Sequence, residues 1–354
     1  MEAIQYKCPN CGGGLEYKAD RQKFGCDFCL SEFTEQEVKE IFRDNESVDL
    51  TQNVRENISA DNEFAGGNLY SCSSCGAEIM SDANTAATFC VYCHNPVILT
   101  GRLSGDYRPN KIVPFVIEKN KAIEIFKSGM LKRLFIPSGF KSEQTLEKMT
   151  GLYVPFWLAD CNVKTNMQAI GKHIRTWKQG DYKYTETREY AVSRHAGITF
   201  NGVPADGASK IDDSLMDALE PFDYSKLQNF SMSYLTGFLA DKYDVDKGQV
   251  FPRIRQKLDT ASRDILMSSI TGYSSVSVSN FTNNIMKTDW NYALLPVWFM
   301  TYSYNGKMYE FAVNGQSGKL VGIPPLSKKK LFAFCLGLFA VITALFGLGG
   351  YLLS

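Results

Sequence analysis

Residues 8–29 read CPNCGGGLEYKADRQKFGCDFC, and residues 72–93 read CSSCGAEIMSDANTAATFCVYC. Each stretch holds two Cys-x-x-Cys pairs separated by fourteen residues, and the second stretch repeats this spacing after 64 residues. Two such turns bring four thiolates together, which is the ligand set of a tetrahedral zinc site. The sequence therefore predicts two structural zinc ions, bound by Cys8, Cys11, Cys26, Cys29, Cys72, Cys75, Cys90 and Cys93.

Two other uses of these cysteines are disulfide bonds and redox chemistry. Disulfides need an oxidising compartment, and a redox motif is expected as one Cys-x-x-Cys pair, whereas this chain has four in two matched sets. A site with four protein ligands keeps no position open for a substrate. Both zinc ions are therefore expected to be structural, and their binding to supply folding energy to segments too short for a core of their own.

The C-terminal residues 331–353 read LFAFCLGLFAVITALFGLGGYLL and follow the basic residues Lys328, Lys329 and Lys330. A helix of this length would rise roughly 34 Å, and a bilayer core is about 30 Å thick. Basic residues stay on the cytoplasmic side of a membrane. The pattern predicts a single-pass protein of the cell membrane, with residues 1–330 in the cytoplasm.

Small residues recur along one face of this predicted anchor. In lipid, small residues let two helices approach closely, although such residues are also common in membrane helices without that role. The predicted association seam consists of Ala333, Gly337, Ala340, Ala344 and Gly347.

Charge is distributed unevenly along a chain of zero formal net charge. Residues 1–100 hold 16 acidic and 7 basic residues, whereas the remainder holds 22 acidic and 31 basic residues, so the two parts carry −9 and +9. A basic surface near a membrane would favour anionic lipid as an additional partner. The neutral or acidic ribbons lack the basic footprint of nucleic-acid binding, and they favour contacts with proteins.

The chain divides into five predicted regions. They are ribbon 1 (1–33), a short helix with an acidic linker (34–67), ribbon 2 (68–101), a cytoplasmic α+β domain with antiparallel β-meanders (102–327), and a basic flank with a transmembrane helix (328–354). Thr34 and Glu37 predict a capping box. Asn305-Gly306 predicts a type I′ hairpin turn. Helices are expected around residues 233–242 and from Pro252 onward.

No catalytic constellation stands out in the sequence. The three histidines, His94, His173 and His195, have no patterned nucleophile or carboxylate beside them, and no phosphate-binding glycine motif is present. We therefore expect a protein that is not an enzyme.

Several short motifs occur in an order that is similar to a known family. They are CSSCG (72–76), CVYCHNPV (90–97), VPF (113–115), YVPFW (153–157), EPFD (220–223), YLTGFLADKY (234–243) and FAVNGQSG (311–318). This order resembles the bacterial transcription-factor-IIB-type zinc-ribbon membrane proteins of phage-shock-type operons. Val91 and His94 depart from the Pro and Gly that are usual in that family's knuckle.

The resemblance implies a membrane-anchored adaptor in envelope stress. Its expected partners are a phage-shock-protein-A-like protein and another membrane protein. Members of the family often carry a primosomal or helicase label, but this chain has no helicase motif. The alternative hypothesis is a membrane-associated nucleic-acid-binding regulator or replication accessory factor, which the charge distribution does not favour.

Overall fold

The computed structural model describes residues 3–43, 67–72, 78–82, 84–90, 96–99, 103, 105–131 and 133–353. The strands are β1 (Ala3–Ile4), β2 (Glu16–Lys18), β3 (Lys23–Gly25), β4 (Glu32–Phe33), β5 (Gly67–Ser71), β6 (Glu78–Asp82), β7 (Thr85–Phe89), β8 (Pro96–Leu99), β9 (Lys111–Ile112), β10 (Thr150–Gln179), β11 (Tyr182–Asp206), β12 (Gln228–Asn229), β13 (Leu239–Asp241), β14 (Ser275–Tyr304), β15 (Lys307–Asn314) and β16 (Leu320–Gly322). The helices are α1 (Glu35–Ile41), α2 (Lys119–Leu131), α3 (Glu143–Leu146), α4 (Asp213–Leu219), α5 (Lys247–Ser268) and α6 (Lys328–Leu353). Short 3-10 turns lie at Gly105–Tyr107, Ser138–Lys141, Tyr224–Lys226 and Met232–Leu235.

One large sheet organises the described chain. Its strand order is β1-β8-β7-β13-β10-β14-β15-β16, with β11 on β10, β9 on β14 and β12 on β9. Strands β2, β3 and β4 form a small sheet, and β5 pairs with β6. The large sheet joins distant parts of the sequence, because the N-terminal β1 pairs with β8 and β7 pairs with β13.

Strands β10, β11 and β14 are far longer than ordinary strands. Strand β10 has 30 residues, and at about 3.3 Å per residue a strand of this length spans roughly 100 Å. Side chains along its middle alternate between buried and exposed, as expected when one face of a sheet is covered. The buried set is Cys161, Val163, Thr165, Met167 and Ala169, and the exposed set is Asn162, Lys164, Asn166, Gln168 and Ile170.

Helix α5 covers the buried face of these long strands. Its buried residues recur every fourth position and form one stripe along the helix: Val250, Ile254, Leu258, Ser262 and Leu266. The end of this stripe packs with Met167, Ala169 and Val192. The amphipathic spacing of the helix thus matches the alternation of the strand beneath it.

Local sequence signals for caps and turns are confirmed. Thr34 and Glu37 form the expected capping box at the start of α1. Asn305 and Gly306 both have positive φ, of 51° and 75°, as a type I′ turn requires.

Two predicted helices differ from the structure. Residues 233–242 form a 3-10 turn and then β13, because this short apolar stretch pairs with the edges of β10 and β7. Helix α5 begins five residues before Pro252, since Asp246 caps its N-terminus and forms a capping box with Gln249. Pro252 falls inside the first turns of the helix.

The predicted transmembrane anchor is wrong. In the part of the chain that the structure describes, no helix is both long enough and apolar enough to cross a bilayer. The predicted fold class is therefore corrected to a mostly β-rich domain with a four-cysteine cluster near its N-terminus. The predicted single-pass membrane localisation is wrong for the same reason as the anchor.

Candidate metal centre

Two tight turns position the cysteines of residues 8–29. In the first, the Gly12 N–H donates to the Cys8 carbonyl at 2.8 Å, and the Cys8 N–H donates to the Gly13 carbonyl at 2.6 Å. In the second, the Leu30 N–H donates to the Cys26 carbonyl at 2.9 Å, and the Cys26 N–H donates to the Ser31 carbonyl at 3.0 Å. The two turns thus have the same hydrogen-bond pattern, and each places its two thiols on one side.

The four thiols of the two turns converge on one point. All four sulfurs lie within 4.8 Å of one another. The sulfurs of Cys8 and Cys29 are 3.5 Å apart, as are those of Cys11 and Cys26. In a tetrahedron with zinc–sulfur bonds of about 2.3 Å, sulfurs lie about 3.8 Å apart. Cys8, Cys11, Cys26 and Cys29 therefore form a group that can hold a metal ion, as the sequence predicts.

Burial divides the four thiols into an inner and an outer pair. Cys8 and Cys26 are each 2 % exposed and belong to the main hydrophobic core. Cys11 and Cys29 are exposed. One side of the centre is thus part of the protein core, and the other faces solvent.

Polar neighbours support the outer side of the centre. The Ser31 hydroxyl lies 3.2 Å from the Cys29 sulfur, and the Asn10 amide donates to this hydroxyl at 2.8 Å. The Ser31 hydroxyl and backbone lower the pKa of Cys29 to about 6, because both stabilise the thiolate. A metal-ligating thiol must be deprotonated, so the lowered pKa of Cys29 is compatible with that role. The cysteine spacing alone does not reveal Ser31 or Asn10.

Ribbon 1 packs directly on the large sheet and its connecting loops. The Tyr17 ring lies 5.2 Å from the ring of Phe24 and 5.1 Å from that of Tyr234. The Tyr17 N–H donates to the Thr236 carbonyl at 3.1 Å. The Gln22 amide reaches the Phe115 carbonyl at 2.7 Å. The metal centre is therefore part of the packed body of the protein.

The second predicted zinc site falls partly outside the described residues. Cys72 and Cys90 are buried and pack with Tyr70, Val97 and Leu99. Cys75 and Cys93 lie outside the described residues, as does His94. The number of metal ions per chain therefore stays a prediction.

The predicted residues near the C-terminus lie on helix α6. Lys328, Lys329 and Lys330 begin this helix, and the Lys330 ammonium donates to the Ile136 carbonyl at 2.7 Å. Four residues of the predicted seam are exposed, namely Ala333, Gly337, Ala340 and Ala344. Gly347 lies beyond the described side chains. Because the transmembrane prediction is wrong, a seam for packing in lipid no longer follows.

The chain is 35 % identical, over 340 residues, to the uncharacterized protein YdjG of Bacillus subtilis (strain 168). The similarity covers 95 % of this chain and 94 % of YdjG. No protein-family profile matches the chain, and no solved structure matches it. At this identity and coverage, the chain belongs to the same family as YdjG.

Proposed function

We propose that this protein is a non-catalytic adaptor in which zinc holds ribbon 1 in the shape that docks on the sheet. The observation that carries the proposal is the closed four-thiolate group, whose inner pair lies in the protein core. Four cysteine ligands complete a tetrahedron and exclude a substrate from the metal. The ion then acts on folding and surface shape.

Charge pairing on ribbon 1 supports protein contact over nucleic-acid contact. Lys18 pairs with Glu16 and Asp27 at 3.0 and 2.9 Å. Arg21 pairs with Asp20 and Glu32, and Lys23 lies 3.6 Å from Glu32. These basic groups are already neutralised by neighbouring carboxylates, and they leave little positive potential to attract phosphates.

The partner class in this proposal comes from the family resemblance. It is a phage-shock-protein-A-like protein, whose recruitment would make the chain an adaptor in envelope stress. The net charge of zero and the aromatic residues exposed on the long strands suit contact with a protein surface.

The experiment measures binding of the zinc-loaded full chain to the labelled phage-shock-protein-A-like protein of the same organism. Fluorescence anisotropy should show saturable binding, and the double variant Cys8→Ser, Cys26→Ser should lose it together with one zinc ion. The matched control is Cys335→Ser, which removes an exposed thiol outside the metal group and should bind as the parent does.

The same titration with a labelled DNA duplex separates the two functional classes. The adaptor proposal expects no binding at moderate salt. Strong binding to DNA that falls steeply with salt, together with no binding to the protein partner, would favour the nucleic-acid alternative instead.

A further inference from the structure

The hairpin at the end of the long strands, residues 173–188, extends beyond its neighbours. Strand β14 pairs with β10 only as far as Lys172, opposite Ser275, whereas β11 continues along β10 to Gln179. We call residues 173–188 the hairpin tip. Along the tip, no described strand lies on the β14 side of β10, and the backbone there forms an open edge.

The backbone groups that face this open edge can be assigned from the last contacts of the ladder. The Ser274 N–H donates to the Lys172 carbonyl at 2.7 Å, and the Ile174 N–H donates to the Ser274 hydroxyl at 3.0 Å. Because successive residues of a strand point their backbone groups to opposite sides, Thr176 and Lys178 also face the open edge. Their N–H and carbonyl groups are placed to pair with another strand.

The tip also carries aromatic residues that lie outside the core. The rings of Trp177 and Tyr184 stack at 5.6 Å with an angle of 15° between their planes. Their exposed fractions are 40 % and 45 %. Helix α5 covers the same face of the sheet nearer the body, where Tyr273 packs over Gly171. Past Gly171 the described residues of β10 on this face are exposed, and large aromatic groups beside an open edge mark an interaction surface.

We propose that this edge pairs with the same edge of a second copy of the chain, as two antiparallel β10 strands. The register follows from the space that is available. The edge is occupied up to Lys172, so a partner strand centred on Thr176 would place its Gly180 against the residue that Ser275 already holds. Centring the pair on Trp177 moves the partner's turn two residues outward, so that its Gly180 lies opposite Ile174, and leaves the Ser274 contact intact.

In this register Thr176 of each copy lies opposite Lys178 of the other, and each pair can exchange both backbone hydrogen bonds. Trp177 lies opposite Trp177 of the second copy at a non-hydrogen-bonded position, where side chains on facing strands are closest. The four rings of Trp177 and Tyr184 in the two copies then form one row across four strands. Offset or edge contacts between such rings stabilise a pair beyond the burial of their surface.

Charge is compatible with this pairing. Lys178 faces a threonine and Arg175 faces Gln179, so no like charges lie directly opposite each other, and the whole chain has a formal net charge of zero. The contact is small compared with the ~1,200 Å² of a stable interface. We therefore expect a reversible dimer with a Kd on the order of 10–100 μM.

The test is the oligomeric state of the full-length, zinc-loaded chain by sedimentation equilibrium, from about 1 to 300 μM, a range that spans the expected Kd. The wild-type chain should shift from monomer to dimer. Thr176→Pro removes an edge-facing N–H without breaking a bond to β11, so it should weaken the dimer at least about tenfold.

Thr185→Pro is the matched control. Thr185 lies directly opposite Thr176 in the hairpin, and its N–H faces the outer edge of β11. The same substitution there should leave the dimer affinity within about twofold of the wild-type value. A wild-type chain that stays monomeric overturns the proposal, and so does a dimer that Thr185→Pro weakens more than Thr176→Pro.

A second measurement stays informative if either proline variant disturbs the hairpin. Light and heavy-isotope wild-type chains are mixed at dimer-forming concentration and treated with an amine-reactive crosslinker. We expect light–heavy crosslinks between Lys178 of one copy and Lys178 of the other, since the register places them two residues apart along the paired strands. A dimer without this crosslink overturns the proposed pairing.

Discussion

Gly12 and Leu30 take equivalent places in the two cysteine turns, four residues after Cys8 and Cys26, and both have positive φ, of 76° and 60°. Glycine adopts this left-handed conformation without steric cost, whereas a residue with a Cβ is strained there by roughly 1–2 kcal/mol. Leu30 is 81 % exposed, so its side chain gains little from burial. In the second turn, the strained Leu30 therefore directly follows Cys29, a candidate metal ligand.

Leu30→Gly should stabilise ribbon 1 by about 1 kcal/mol, because it relieves this strain and removes almost no packing. The expected observation is slower release of zinc to a competing chelator. Gly12→Ala is the reciprocal control: no atom lies within 4 Å of its added Cβ, so its expected faster release reports backbone strain alone. Equal rates for Leu30→Gly and wild type would show that the turn is not strained.

Ser31→Ala should weaken metal binding, because it removes the hydroxyl beside the Cys29 sulfur while the Ser31 carbonyl still accepts from Cys26. Loss of such a supporting contact typically costs 10–100-fold in metal affinity. Competition with a chromogenic chelator measures the change. Ser268→Ala is the control, since the Ser268 hydroxyl donates to the Ile265 carbonyl within α5, far along the chain, and the variant should bind zinc as the wild type does.

Tyr17→Ala should destabilise the whole chain by about 3–4 kcal/mol, because it removes a buried ring between Phe24 and Tyr234. Urea unfolding of the zinc-loaded protein measures this loss. Phe28→Ala truncates an aromatic residue of the same ribbon that is 78 % exposed, and it should change stability by less than about 0.5 kcal/mol. A loss for Tyr17→Ala as small as that for Phe28→Ala would mean that ribbon 1 does not contribute to the common core.

Glu220→Gln should change how stability depends on pH. Burial raises the pKa of Glu220, although hydrogen bonds from Tyr224 and the Phe222 backbone partly oppose the shift. A carboxyl with a raised pKa in the folded state stabilises the fold fully below its unfolded pKa, near 4.3, and this stabilisation is lost as pH rises through the folded value. The variant has no such proton to lose.

The free energy of unfolding is therefore measured for both proteins from about pH 4 to 7, the range that begins near the ordinary glutamate pKa. We expect the wild type to lose stability relative to Glu220→Gln as pH rises. Asp223→Asn is a neighbouring control with the opposite pH dependence of stability. Hydrogen bonds from Ser225 lower the pKa of Asp223, so its contribution to stability is lost as pH falls. Parallel pH curves for wild type and Glu220→Gln would contradict the assignment of Glu220.

Local chemistry made parts of the fold predictable. The cysteine spacing identifies the ligands because a Cys-x-x-Cys turn is closed by its own backbone hydrogen bonds. The capping box of α1 and the turn at Asn305 depend on residues three or fewer positions apart. The predicted transmembrane helix was wrong, since no helix in the described part of the chain is both long enough and apolar enough to cross a bilayer.

The amino-acid sequence by itself determined the candidate metal-binding group at Cys8, Cys11, Cys26 and Cys29, since every contact needed to form it is local or lies within 22 residues. Only the tertiary structure decided that ribbon 1 docks through Tyr17 on Tyr234, and that β14 stops at Lys172 while the hairpin continues. Both depend on pairings between residues more than 100 positions apart, which are selected by packing across the whole sheet and leave no short-range pattern in the sequence.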